Sequence, residues 1–227
     1  METVVTWSAE KELTTHSDTT DLIDPILTRS HPYRLHHLES RNAGGFSLYS
    51  KFPVKDVGDI TTPTDGSMFK AQHYSIQIKG ETVQVVNVHL RPPVSLQGGG
   101  SPFSMLETSP IRLEEVKNIL SHVSRSPNRF VIAGDFNEND GMPALAHLCC
   151  GDLGCEDALG LSEQYTHWWK LQSSPALGDY IVNKRLDHVV TSKGLVPLDC
   201  RVLDSLPLQG SDHYCVLAKI AIVSQTE

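Results

Sequence analysis

Four short polar segments, each closing or following an apolar run, constrain this 227-residue chain more than any other feature. They are Asn87-Val88-His89, Gly134-Asp135-Phe136-Asn137, Arg185-Leu186-Asp187-His188 and Gly210-Ser211-Asp212-His213. The run before the second, Phe130 to Ala133, reads as a buried strand. A carboxylate buried in such a core without partners costs several kcal/mol. Asp, Asn and His at strand ends avoid that cost, and four such ends are expected to converge on one shared polar site.

The intervening sequence supplies the strands. Phe46 to Tyr49, Met68 to Ile78 and Thr82 to Leu90 are rich in β-branched and aromatic residues and are bounded by turn residues. Lys79-Gly80 between the last two predicts a hairpin. Alternation puts Val83, Val85, Asn87 and His89 on one face of Thr82 to Leu90, and Val86, Val88 and Leu90 on the other. Apolar residues on both faces predict a strand covered on both sides. Ser109-Pro110 predicts a helix start, with Pro at the first helical position. Glu114 and Glu115 follow where the helix dipole favours acids. Leu113, Val116, Ile119, Leu120 and Val123 form the apolar stripe.

Pro143 to Leu148 predicts a short helix, and Leu186 to Val190 and Tyr214 to Ile222 the last strands. Arg91 to Thr108, with Pro92, Pro93 and Gly98 to Gly100, reads as a surface loop overhanging the site. Strand-rich halves joined by a helix predict two packed sheets with helices outside. The length fits one large α/β domain over residues 1–227, and no internal repeat is present.

Composition narrows the partners. The formal net charge is -8 and the pI about 5.7, so a chain that coats nucleic acid or anionic membranes is disfavoured. A nuclease is not excluded, because a bound cation adds charge that a residue count omits. No stretch reaches the ~18 consecutive apolar residues of a spanning helix. The first 30 residues lack a basic segment followed by an apolar run, and the cysteine number, five, is odd. Reduced thiols in an intracellular protein are the expectation. Cys149, Cys150 and Cys155 read as thiols behind a short helix rather than a zinc cluster, because no second Cys or His pair follows at ligand spacing.

The carboxylates and amides of the four segments suit Mg²⁺ or Mn²⁺, and the histidines suit acid/base work or contact with a phosphorane. N-x-H, then GDFN, R-L-D-H and G-S-D-H, in that order, resemble the endonuclease/exonuclease/phosphatase family. The segment Gly44 to Pro53 (GGFSLYSKFP) resembles an upstream strand of that family. The likeness runs from about His31 to Val223.

The resemblance implies a four-layer α/β/β/α sandwich of two mixed, mainly antiparallel sheets. It implies a phosphoester hydrolase using Mg²⁺ or Mn²⁺ on a nucleic acid, phospholipid or inositol phosphate. By the same resemblance Asp135 orients or deprotonates the attacking water, and Asn137 contacts the phosphate. His89 acts on the leaving oxygen or binds the phosphate. His213 stabilises the pentacovalent phosphate, with Asp187 fixing its tautomer, and Asp212 stands near the metal. Apart from the resemblance, Asn87 reads as structural support for the site from the same face, and Arg91 reads equally as a bidentate contact to a substrate phosphate or as a solvated loop arginine. His188 occupies a position that is often aromatic in the family and is assigned to packing.

The family's first strand and its Asn have no counterpart, so the chain is expected to be shortened at its N-terminus. Met1-Glu2-Thr3-Val4-Val5-Thr6-Trp7 resembles the next strand, which implies Glu2 as the main metal ligand. Without that ligand the same chain would be an inactive relative that binds partners. Tyr165 to Trp169 reads as a strand or a stacking wall, and His36-His37 carries no metal spacing.

Overall fold

The computed structural model describes residues 5–7, 25–38, 45–94, 103–123, 129–151, 153–160, 164–171, 180–203 and 213–223. The strands are β1 (Val5–Trp7), β2 (Tyr33–Leu38), β3 (Gly45–Ser50), β4 (Val54–Ile60), β5 (Ala71–Ile78), β6 (Glu81–His89), β7 (Phe130–Asp135), β8 (Glu156–Asp157), β9 (His167–Leu171), β10 (Tyr180–Lys184), β11 (Asp187–Thr191), β12 (Leu195–Leu203) and β13 (Cys215–Ile222). Among the described residues the longer helices are α1 (Ser104–Val123) and α2 (Pro143–Cys149).

The main sheet has six strands in the order β4-β5-β6-β7-β11-β8. Its β6–β7 pair is parallel and the other pairs are antiparallel. A parallel pair needs a long crossover, and α1 supplies it. The β5–β6 hairpin closes through Lys79 and Gly80, both at positive φ (51° and 90°), as a primed two-residue turn requires. Among the described residues three smaller sheets accompany it: β1-β3-β2, β9-β10 and β12-β13.

Both faces of the six-stranded sheet are covered, as the sequence of β6 predicts. Val86, Val88 and Leu90 join Ile132, Phe136 and Val190 in one core, against Val116, Ile119, Leu120 and Val123 of α1 and Ala144, Leu145 and Leu148 of α2. Val83 and Val85 join Tyr74 and Ile76 on the opposite face, against Leu48 and Leu35 of the β1-β3-β2 sheet and Leu195, Ile220 and Ile222 of the β12-β13 pair. The layers are therefore helix, six-stranded sheet, then further sheet, the mixed, mainly antiparallel α/β sandwich expected. Residues 25–27 form a helical turn. Among the described residues no helix is long and apolar enough to cross a membrane.

Two sequence expectations change. α1 starts at Ser104, so it absorbs the end of the stretch read as a loop, and Pro110 lies inside it. Proline lacks the N–H that would bond the carbonyl four residues back and crowds that turn. In the turn before it, Arg112 Nη2 donates to the Met105 carbonyl (2.5 Å) and Thr108 Oγ1 to the Ser104 carbonyl (2.6 Å). The other change is the presence of β2, β4 and β12, which lack clean alternation. β4 carries a register shift at Gly58 (φ 119°), and β12 one between Pro197 and Asp199.

Gly134, in β7, has φ 138°, and a Cβ there would lie 2.0 Å from the Val88 carbonyl oxygen of neighbouring β6. Only glycine permits that approach. Gly134→Ala is expected to cost roughly 3 kcal/mol or more, from backbone strain and overpacking together. Chemical denaturation measures it, and a loss under 1 kcal/mol would contradict this account of β7.

Candidate active site

The register of three adjacent strands builds the site. His89 of β6 pairs with Asp135 of β7, and Asp135 pairs with Asp187 of β11. Paired residues on neighbouring strands share a face, so the three side chains form one row at the end of the sheet. His213, just before β13, closes the group: its Nδ1 lies 2.7 Å from Asp187 Oδ2. Its Nε2 lies 3.8 Å from Asp135 Oδ2, and His89 Nε2 stands at the same distance, 3.8 Å, from that oxygen. One carboxylate thus sits between two imidazoles, and a second carboxylate orients one of them. A carboxylate at Nδ1 places the ring proton there and aims Nε2 into the site.

His89 is stacked on Phe69, with ring centroids 4.1 Å apart and planes 13° apart. Burial, and after it the charge of His213, pushes His89 down to about 4, against a smaller opposing pull from Asp187. Asn87 is buried on the same face, and its Nδ2 has no hydrogen-bond partner.

Asp135 ends β7, so Asn137 does not continue the strand as the two-residue spacing alone would have it. It turns into the left-handed region (φ 51°), which Asn tolerates better than most residues. Its backbone N–H donates to Asp135 Oδ1 (2.7 Å) and its Nδ2 to the Leu90 carbonyl (3.1 Å). Asn137 therefore ties the Asp135 turn to the end of β6. Arg91 is buried rather than solvated, with Nη2 donating to the Val94 carbonyl (3.1 Å) and Nε without a partner. Glu2 and Asp212 lie outside the described residues, as do residues 95–102 of the loop expected to overhang the site.

A buried polar lattice holds this row from behind. Arg112 and Glu138 are both 0% exposed and paired at 3.0 Å. Arg112 Nη1 also donates to the Arg91 carbonyl (3.0 Å), and Glu138 accepts from Ser109 Oγ (2.9 Å) and the Ala144 N–H (2.8 Å). Glu115, raised by burial, accepts from the Arg91 N–H (2.9 Å) and Ser67 Oγ (2.6 Å).

Sequence reasoning missed these partners and also Thr166. Its hydroxyl accepts from the N–H groups of Leu186 and Asp187, both at 3.0 Å, and its carbonyl accepts from the Tyr214 N–H at 2.7 Å. Thr166 thereby brings the residues flanking Asp187 and His213 together. No local pattern marks it, because both partners are distant in sequence.

Asp140, Asp157 and His188 bring ligand atoms within 4.8 Å of one another, a grouping able to hold a metal ion. Its valences are already used. Arg185 pairs with Asp140, and His188 Nδ1 lies 2.8 Å from Asp157 Oδ2. His188 Nε2 faces the carbonyls of Glu138 (3.0 Å) and Arg185 (3.2 Å). His188 alternates with Asp187 along β11 and meets the edge of Phe136, so it points away from the row of His89, Asp135 and Asp187. We read this group as a charge-compensated strut. Cys149, Cys150 and Cys155 are free thiols, with Cys155 buried and pushed up to about 11 by that burial.

Residues 1–213 match the family model described as the Endonuclease/Exonuclease/phosphatase family. No curated protein matches the chain. Similar solved structures include D. rerio TDP2 complexed with single strand DNA product, at 16% identity and TM-score 0.64, covering 93% of this chain and 84% of that one. Truncated Caenorhabditis elegans TDP2 gives 18% identity and TM-score 0.65, with 92% and 81% covered. The human Nocturnin catalytic domain with bound sulfate gives 16% and 0.59, with 90% and 77% covered. At these identities the likeness is one of fold.

Removing Arg112 strands Glu138 as a buried, uncompensated charge. Arg112→Met is expected to lose roughly 3–5 kcal/mol of unfolding free energy, while Arg112→Met with Glu138→Gln recovers part of it; equal stability of all three proteins in urea would refute the role.

His89 supplies a pH dependence. The unfolded histidine takes a proton near pH 6.5 while the folded one resists until about 4. Stability is therefore full above pH 6.5 and falls as the pH drops toward 4, by about 3 kcal/mol at pH 4. His89→Gln should flatten that part of the profile, which thermal unfolding at stepped pH reads directly.

Proposed function

Because the chain belongs to the endonuclease/exonuclease/phosphatase family, a group of hydrolases acting on phosphoester bonds, we propose that it hydrolyses a phosphodiester or phosphomonoester by in-line attack of an activated water. The observation that carries this reading is Asp135 Oδ2 standing 3.8 Å from both His89 Nε2 and His213 Nε2, with Asp187 behind His213. At 3.8 Å these groups stand too far apart for direct hydrogen bonds and close enough to face one shared water or phosphate oxygen.

The division of roles follows from the contacts. Asp135 orients the attacking water and accepts its proton. His213, locked by Asp187, presents Nε2 to the charge that develops on the phosphate. His89, neutral at pH 7, serves as an uncharged hydrogen-bond partner to a phosphate oxygen rather than as a strong acid. Asn137 keeps the Asp135 turn closed, and the unpartnered Nδ2 of Asn87 is a donor left over for substrate. Arg91, with an unpartnered Nε, is the nearest cation in sequence to His89 and is assigned to substrate binding.

The row presents carboxylate oxygens of Asp135 and Asp187 on one face, a donor chemistry that fits a hard divalent cation. Glu2 and Asp212 are the ligands proposed for Mg²⁺ or Mn²⁺, which when bound supplies charge neutralisation at the phosphate and the leaving oxygen. The acidic balance of the chain, net -8, favours a small or lipid-derived phosphate ester over long nucleic acid. The single-stranded DNA in the D. rerio TDP2 complex keeps a short nucleic-acid strand in the comparison.

Turnover of bis-p-nitrophenyl phosphate with Mg²⁺ or Mn²⁺ tests the reading. Asp135→Ala and His213→Ala are each expected to lose at least ~100-fold in kcat, and Asp187→Asn less. A wild-type protein inert at millimolar Mn²⁺, or an Asp135→Ala protein as active as wild type, would sink the hydrolase and leave a binding protein. Parallel assays on short oligonucleotides, phospholipids and inositol phosphates rank the substrates.

A further inference from the structure

One buried carboxylate grips both halves of an aromatic stack inside the candidate site. Glu115, 3% exposed, accepts the Ser67 hydroxyl at 2.6 Å and the Arg91 N–H at 2.9 Å. Ser67 lies two residues before Phe69, and Arg91 two residues after His89. The rings of Phe69 and His89 lie face to face at 4.1 Å and 13°. Phe69 comes from the segment between β4 and β5, and His89 from the end of β6, so chain connectivity alone does not impose this contact. It depends on both segments being tied to the same point on α1.

We infer that Phe69 is a positioning residue for His89, its ring fixing the imidazole plane so that Nε2 stays aimed at the Asp135 side of the site, with Glu115 as the clamp that holds the stack closed. The inference rests on the phosphoesterase reading for its catalytic consequence and on the stack alone for its structural one. An imidazole turns about χ2 with broad, two-fold freedom unless its faces are packed. A flat phenyl ring stacked on one face restricts that freedom. An aliphatic side chain of similar volume fills the space but presents no flat surface. This predicts that planarity matters more than bulk at residue 69. Glu115→Gln keeps the clamp, because a rotated Ser67 hydroxyl accepts from the new amide while Oε1 still serves the Arg91 N–H; Glu115→Ala opens it.

The experiment uses the full chain carrying Phe69→Leu, Phe69→Tyr, Glu115→Gln or Glu115→Ala, with two readouts. The first is the imidazole carbon-bound proton spectrum of His89 by NMR, assigned with a His89→Gln protein and recorded without metal or substrate. The second is kcat and KM on bis-p-nitrophenyl phosphate with Mn²⁺. The expected result is one upfield-shifted set of His89 signals in the wild type, Phe69→Tyr and Glu115→Gln. In Phe69→Leu and Glu115→Ala those signals move downfield and broaden. In parallel kcat falls at least tenfold in Phe69→Leu with KM within twofold, and Phe69→Tyr retains it. Phe69→Leu with unchanged His89 signals overturns the positioning role whatever the activity. Displaced signals with kcat unchanged overturn its catalytic consequence. A wild type without turnover defeats the phosphoesterase reading instead, and the spectra still decide whether Phe69 holds His89. If Glu115→Ala fails to fold, the Phe69 pair decides alone.

Discussion

The buried ion pair between Arg112 and Glu138 is the constraint on which the candidate site depends. An ion pair at 0% exposure pays a desolvation cost that its attraction repays only when the remaining donors and acceptors are satisfied. Here they largely are. Of the five N–H groups of a guanidinium, Arg112 directs bonds to Glu138, the Arg91 carbonyl, Thr108 and the Met105 carbonyl. Glu138 takes Ser109 and the Ala144 N–H as well. Apolar packing would join the same helix to the same sheet, but it is non-directional and tolerates small shifts. These bonds set where α1 sits along β6 and β7. They connect the chain just beyond His89 to the loop just beyond Asp135, the two segments whose alignment makes a site.

The turn that carries Asp135 needs that support because it is locally costly. Gly134 and Asn137 both hold positive φ, at 138° and 51°, on either side of the carboxylate and Phe136. Neither conformation is the resting state of an extended strand. The first is made possible by a missing Cβ against Val88, and the second is anchored by the Asn137 amide on Leu90. Backbone of this kind persists where surrounding structure over-determines it, and such places are enriched in functional sites. The four letters GDFN are thus two things at once: a carboxylate, and the unusual backbone that presents it.

How much of this was legible differs residue by residue. The row of His89, Asp135 and Asp187 could be anticipated because each follows an apolar strand, and strand ends are the one place a polar trio meets without entering a core. The two-sided burial of β6 was written in its alternating valines, and the β5–β6 turn in Lys79-Gly80. What escaped was non-local or masked by irregularity. Thr166 and Phe69 act on residues far away in the chain, and nothing near them in sequence records it. Pro110 reads as a helix start by local rules, yet the helix runs through it from Ser104. β4 and β12 carry bulges at Gly58 and Pro197, which break the period that would have revealed them. Asn137 shows the limit of spacing arguments: two residues apart means one face only while the strand continues.

The two imidazoles beside Asp135 are chemically unequal although their distances to it are the same. His213 has a carboxylate on its far nitrogen, which fixes its tautomer and supports it when the phosphate draws on Nε2. His89 has a phenyl ring on its face and little water around it, so its charged form is disfavoured, and a charge on His213 disfavours it further. A charged His89 is therefore disfavoured near neutral pH, so the two rings are not interchangeable. Separating the environments of like groups is how a protein gives them different tasks. In this chain the separation is made by one aspartate at the start of β11, held by Thr166, and one phenylalanine between β4 and β5, two residues from the Ser67 hydroxyl that Glu115 accepts.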